Sequence, residues 1–317
     1  MLIYFSTFLV AFLVAVLATP AVSALAARVG AMDSPNERKV HKSAVPRLGG
    51  VAIYLGFILA VMIGVILAGI FNRRLESLHL LGIILGSTIV LAVGIWDDIR
   101  GLKPWTKFIW QLLAALVIVY FGVNINFVSN PLNGLFQMGW LGIPLTLLWV
   151  VGMTNAINLI DGLDGLAAGV TAISAGTLFF VALRTHQIGA AIIMLALCGS
   201  ALGFLRYNFF PAKIFLGDSG SYLLGFVLAA AAVIGVFKTT LVVALIIPLL
   251  ILGVPIFDTM FAIGRRFSEG RSPFSADNKH IHHMLLRAGF TQREAVLAIY
   301  VACFLLSIGA LLMALQK

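Results

Sequence analysis

Residues 141–183 read LGIPLTLLWVVGMTNAINLIDGLDGLAAGVTAISAGTLFFVAL. Two apolar runs, 141–160 and 163–183, meet at a short polar turn that carries Asp161 and Asp164. About 20 apolar residues carry an α-helix across the hydrocarbon core of a bilayer, and backbone in lipid has to satisfy its hydrogen bonds within the segment. The stretch therefore reads as two spanning helices joined at one membrane face, with carboxylates and amides at the boundary.

The pattern recurs along the 317 residues, of which 61% are hydrophobic and 10% charged, at a mean hydropathy of +1.08. A soluble domain carries roughly a quarter charged residues, so soluble, disordered and coiled-coil chains are excluded. Cutting the apolar runs at charges, Gly/Pro clusters and polar loops gives ten spans, near 3–27, 48–70, 79–96, 106–122, 141–160, 163–183, 188–205, 220–237, 240–264 and 293–315. The expected fold is an all-α polytopic membrane protein forming one integral domain, 1–317. Pro248 and Pro255 fall in the ninth span, which is expected to be kinked or broken. Basic residues follow the first run rather than precede it, so it reads as a retained helix and not a secretory signal. The 123–140 loop is expected to hold an apolar or short hairpin segment.

Sixteen of the 21 basic residues lie in the loops after spans 1, 3, 7 and 9, against five on the other side. The positive-inside rule places the first set in the cytoplasm and both termini outside. All the acidic residues except Glu76 gather on or near the cytoplasmic side, which concentrates the chemistry at one face. Basic loops beside anionic lipid account for the net charge of +9, without nucleic acid as a partner. Cys198 and Cys303 lie inside apolar runs and indicate neither a disulfide framework nor a Cys-based metal site.

Four clusters carry the chemistry. Asp97-Asp98 stands at the C-terminal end of span 3, where the helix dipole disfavours anions by about 0.3–1 kcal/mol each. A polar helix end is the plain reading; a carboxylate pair handling a cation or phosphate beside Lys103 and Lys107 is the functional one. Asn155 and Asn158 are one turn apart and lead into Asp161-Gly162 and Asp164-Gly165, an oxygen-rich set suited to a hard divalent cation and a nucleotide. In Phe215-Leu-Gly-Asp218-Ser-Gly, before span 8, the Asp reads as an ordinary helix cap, and helix amides there can also face a phosphate. The loop from Arg265-Arg266 through Arg271 to His280-Ile281-His282-His283 invites zinc. Its basic neighbours and lack of Cys favour an anionic, phosphorylated substrate instead, with Asp258 placed to orient the histidines.

Taken in order, the Asp97-Asp98 pair, the Asn155-x-x-Asn158-x-x-Asp161-Gly-x-Asp164-Gly run, Phe215-x-Gly-Asp218 and His280-Ile-His282-His283 resemble the polyprenyl-phosphate N-acetylhexosamine-1-phosphate transferases, from roughly Asp33 to Phe290. The ten-span count is similar to phospho-N-acetylmuramoyl-pentapeptide transferase (MraY), so the resemblance implies an MraY-like fold with a cytoplasmic-face active site in a bacterial plasma membrane. The histidine segment, interrupted by Ile281, is closer to the WecA/TagO branch.

That branch implies UDP-GlcNAc as donor, undecaprenyl phosphate as acceptor, and a lipid-linked sugar that starts a cell-envelope polysaccharide. By the same resemblance Mg²⁺, with Mn²⁺ as substitute, would be held by Asp218 with Asn158. Uracil would meet Phe215, Gly162 and Asp164, and Lys107 would contact phosphate. Asp97, Asp98, Asp161 and His282 join Lys107 as catalytic candidates; Asn155, Arg271, His280 and His283 join the substrate-binding set. A homodimer is compatible with this picture. MraY-type transfer and another UDP-N-acetylhexosamine remain alternatives.

Two rivals are weaker. A CDP-alcohol phosphotransferase needs an Arg where Gly169 stands, and no Asp lies between Asp164 and Asp218. An ion-coupled transporter places its charges near the bilayer midplane rather than at one face.

Overall fold

The computed structural model describes residues 1–33, 44–73, 75, 77–125, 127–129, 135–235, 249–268, 270 and 280–315. Helices dominate them: α1 (Leu2–Val29), α2 (Gly49–Ile70), α3 (Ser77–Arg100), α4 (Pro104–Tyr120), α5 (Gly142–Ile160), α6 (Leu166–Arg184), α7 (Ile188–Asn208), α8 (Gly217–Gly235), α9 (Gly253–Ser268), α10 (Ile281–Arg287) and α11 (Gln292–Leu315). Among the described residues, eight helices are long and apolar enough to cross a membrane, and Pro104–Tyr120 is a shorter apolar helix. The ninth expected span, 240–264, lies partly outside the described residues; its C-terminal part falls in α9.

Burial separates the centre from the rim. The most apolar window of α8 is 89% buried, against 22% for α1. Helix α8 runs through the middle, packed on α3 and α5, while α1 lies against α2 and α7. Small residues let the α1 and α7 backbones approach. A Cβ at Gly199 would lie 2.6 Å from the Phe8 carbonyl oxygen, and one at Gly203 would lie 2.5 Å from that of Phe12.

Several helix ends depart from the expected spans, and each has a physical cause. Helix α3 continues to Arg100, so Asp97 and Asp98 belong to its last turns. Their dipole cost is offset by donors: Leu102 N–H reaches Asp97 Oδ1 at 2.6 Å, and two amides from α8 reach Asp98. Helix α4 starts at Pro104, whose missing N–H costs nothing at a first helical position. Helix α8 starts at Gly217, with φ of 71°, which puts Asp218 inside its first turn.

Two short antiparallel ribbons complete the described chain. Strand β1 (Met32–Asp33) pairs with β2 (Val45–Pro46) beside the site; β3 (Phe127–Ser129) pairs with β4 (Leu135–Gln137), a hairpin in the loop where a short one was expected.

Candidate active site

The C-terminal ends of α3, α5 and α7 and the N-terminal ends of α4, α6 and α8 converge at one end of the bundle. At their centre Lys107 Nζ pairs with Asp97 Oδ2 and donates to Asp218 Oδ2 at 3.2 Å. Asn158 Nδ2 donates to Asp218 Oδ1 at 2.7 Å and to Ser221 Oγ at 2.9 Å. The Tyr222 hydroxyl donates to Asp97 Oδ2 at 3.3 Å. One ammonium thus serves two carboxylates from different helices.

Asp98 has a different environment. Its Oδ1 accepts the Asp218 N–H at 2.9 Å and its Oδ2 the Ser219 N–H at 3.0 Å, and its side chain is 1% exposed. Two amides of the first turn of α8 are therefore taken up by a carboxylate of the same chain. Asp218 does not cap its own helix; Asp98 caps it from α3.

Around these groups lies a cavity of about 590 Å³, lined among others by Arg47, Asp98, Asn158, Asp161, Gly162 and Asp218. Asp164, Phe215 and His283 also reach it. Burial, reinforced by the charges of Asp218, Asp98 and Asp164, pushes the Asp161 carboxyl well above the ordinary carboxylate range. Negative charge is in excess here. Asp164 Oδ2 accepts the Ala212 N–H at 2.9 Å, and Asn208 ties Gly165 N–H to the Ile214 carbonyl, so the turn after α5 and the loop before α8 are held as one wall.

The histidine segment reaches the site from the other side. Asp258 Oδ2 lies 2.8 Å from His280 Nδ1, and its Oδ1 accepts the Ile281 N–H at 2.8 Å. His282 stacks on His280, with ring centroids 5.9 Å apart, and its Nε2 lies where a Cβ on Gly162 would come within 2.3 Å. Burial, then the neighbouring His283 and His280, push the His282 imidazole down to about 4, so it is neutral at ordinary pH.

Most of the expected residues are thus brought together: Asp97, Asp98, Lys107, Asn158, Asp161, Gly162, Asp164, Phe215, Asp218, His280, His282 and His283. Asn155 stands one turn back. Its Nδ2 donates to Gln111 Oε1 at 2.6 Å and to the Val151 carbonyl at 2.8 Å, between α4 and α5, and it does not line the cavity. Arg271 lies outside the described residues. Sequence reasoning overlooked Arg47, Asn208 and Tyr222. Arg47 had a visible signal, a guanidinium just before Leu48-Gly49-Gly50 at the start of a span; the other two depend on which helix ends meet.

Among the described residues no three His, Cys, Asp or Glu side chains stand together as a ready metal site. Mg²⁺ does not need such a set, since it takes one or two carboxylates and completes its octahedron with water and substrate phosphates. Asp218 beside Asn158, in a cluster with surplus negative charge, fits that chemistry. Ligation through Asn158 Oδ1 requires its amide to turn over from the observed Nδ2 contact.

The family model described as "Glycosyl transferase family 4" matches residues 80–236, which run from early α3 to just beyond α8. A Bacillus subtilis (strain 168) protein, named a probable undecaprenyl-phosphate N-acetylglucosaminyl 1-phosphate transferase, is 44% identical over 96% of this chain and 84% of its own length. The decaprenyl-phosphate N-acetylglucosaminephosphotransferase of Mycolicibacterium smegmatis is 39% identical, over 95% of this chain and 80% of its own. The undecaprenyl-phosphate alpha-N-acetylglucosaminyl 1-phosphate transferase of Escherichia coli K12 is 31% identical, over 90% and 78%.

Proposed function

Because this chain belongs to glycosyl transferase family 4, together with the polyprenyl-phosphate N-acetylglucosaminyl 1-phosphate transferases, we propose that it transfers N-acetylglucosamine 1-phosphate from UDP-GlcNAc to undecaprenyl phosphate. An oxygen of the acceptor phosphate attacks the β-phosphorus of the donor. The bond from that phosphorus to the bridging oxygen breaks, and UMP leaves. The observation that carries this reading is the Asp97, Lys107, Asp218 and Asn158 network at the edge of a cavity rich in carboxylates.

Phosphoryl transfer asks for positioning and charge neutralisation more than for covalent help. Lys107, held between Asp97 and Asp218, neutralises phosphate charge. Asp218 and Asn158 would hold Mg²⁺ or Mn²⁺, which when bound would supply Lewis-acid neutralisation of the donor diphosphate. A phosphate monoester is mostly dianionic at pH 7, so a strong base is not required. Asp98, with both oxygens on backbone amides, organises α8 rather than moving a proton. Gly162, Asp164 and Phe215 receive the nucleotide, and neutral His282 with His280, His283 and Arg271 receives the sugar phosphate.

The sixteen-to-five split of basic residues supports a bacterial plasma-membrane protein with the site in the cytoplasm and both termini outside. The apolar run lengths support ten spans in one integral domain, and Pro248 and Pro255 a kinked or broken ninth. The test is direct: purified protein, undecaprenyl phosphate and a panel of UDP-sugars, with UMP and lipid product both measured. UDP-GlcNAc should give both in equal amounts. No UMP from any UDP-N-acetylhexosamine, or UMP without a lipid-linked sugar, overturns the reading.

A further inference from the structure

Arg47 stands at a junction of three elements. Its Nε and Nη2 both donate to the Asp98 carbonyl oxygen, at 3.1 and 2.8 Å, and Nη1 lies 3.8 Å from Asp33 Oδ1. The backbone around it is stitched to the run entering α8. Phe215 N–H donates to the Pro46 carbonyl at 2.8 Å, Gly49 N–H to that of Phe215 at 3.1 Å, and Gly50 N–H to that of Leu216 at 3.2 Å. The carbonyl that Arg47 grips belongs to the residue whose carboxylate holds the Asp218 and Ser219 amides.

We propose that Arg47 is a positioning residue for Asp218. It fixes the last turn of α3 against the strap of residues 46–50, and so sets where the Asp98 carboxylate meets the first turn of α8. A carbonyl at a helix C-terminus has no intrahelical partner, and a planar guanidinium supplies it with two donors in a fixed fork that an ammonium does not reproduce. The closeness of the parts leaves little other freedom. A Cβ on Gly50 would meet Gly220 N at 2.3 Å, and one on Gly94 would meet Ser219 Cα at 2.3 Å. A small rotation of α3 therefore passes directly to Asp218. The rival role is a direct contact between Arg47 and a substrate phosphate, because its side chain is 33% exposed and lines the cavity.

The proposal rests on the transferase reading for its kinetic arm only. With the purified full-length protein, Arg47→Gln and Arg47→Lys should both lower kcat, on the order of 10–100-fold for a misplaced group, with the KM for UDP-GlcNAc changed by less than about threefold. The double variant Arg47→Gln/Asp98→Asn should fall no further than Asp98→Asn, since Arg47, on the Asp98 carbonyl, reaches Asp218 only through the Asp98 carboxylate. A raised KM with kcat kept, rescue by Lys, or additive losses overturn the proposal. Hydrogen-deuterium exchange provides a readout independent of activity. Arg47→Gln should speed exchange in the 215–222 peptide while α5 and α7 keep their protection, and unchanged exchange there overturns the proposal. A wild-type chain that forms no UMP removes the transferase reading and leaves the exchange result to decide Arg47.

Discussion

Asp98 caps a helix that begins 119 residues further along the chain, its two carboxylate oxygens receiving the Asp218 and Ser219 amides at 2.9 and 3.0 Å. Asp98→Asn turns one acceptor into a donor facing a buried N–H. The unsatisfied group should cost about 1–3 kcal/mol of stability, and activity should fall by the same factor at every pH from 5.5 to 8.5. Recovery of the variant as the acceptor phosphate becomes dianionic near pH 6 would instead make Asp98 a base. Thermal unfolding and a pH-rate series measure the two effects.

Asp218 receives Lys107 on one oxygen and Asn158 on the other. Asp218→Asn should abolish UMP release at all Mg²⁺ concentrations, because an amide does not replace carboxylate charge on a hard cation. Asn158→Ala should raise the Mg²⁺ concentration needed for half-maximal rate while the unfolding temperature moves little. Near-normal activity of Asp218→Asn at ordinary Mg²⁺ removes the metal assignment.

His282 is neutral in the folded protein, its imidazole pushed down to about 4 from an ordinary value of 6.5. As pH falls from 6.5 toward 4 the unfolded chain takes up a proton that the folded one refuses. Stability contributed by the neutral, buried imidazole is therefore full above pH 6.5 and lost progressively below it. The unfolding temperature of wild type should drop over this window more steeply than that of His282→Gln. Parallel curves would show that the imidazole does not titrate as its burial requires.

Gly162 leaves room for the His282 imidazole: a Cβ there would meet Nε2 at 2.3 Å. Gly162→Ala should displace the imidazole and lower kcat/KM by roughly 10–100-fold, with a change in unfolding temperature smaller than that of Asp98→Asn. Wild-type kinetics in this variant would separate His282 from the reaction.

Sidedness can be read by single-Cys labelling in sealed cells, in a background without Cys198 and Cys303. A cysteine at Gly139 should label from outside, and one at Lys213 only after permeabilisation. The reverse pattern inverts the orientation inferred from the basic residues.

Sequence alone determined that this chain lives in a bilayer, because runs of about 20 apolar residues have no other stable environment. It also determined where the chemistry sits, because acids and amides stranded at helix ends need a reason to be there. The motif order was enough to join Asp97, Asp98, Asn158, Asp161, Asp218 and the histidine segment in one expected site. What each touches was decided only by tertiary structure. Periodicity and spacing fix which end of a helix a residue occupies, not which other helix end it faces. Asp97 and Asp98 are neighbours in sequence, yet the first meets Lys107 and the second meets backbone amides of α8. Asn155 and Asn158 share a helix face, yet one turn separates a contact to Gln111 from a contact to Asp218. Arg47 counted only as one more positive charge until its guanidinium was found on the Asp98 carbonyl, because a fork of donors has meaning only beside the acceptor that packing brings to it.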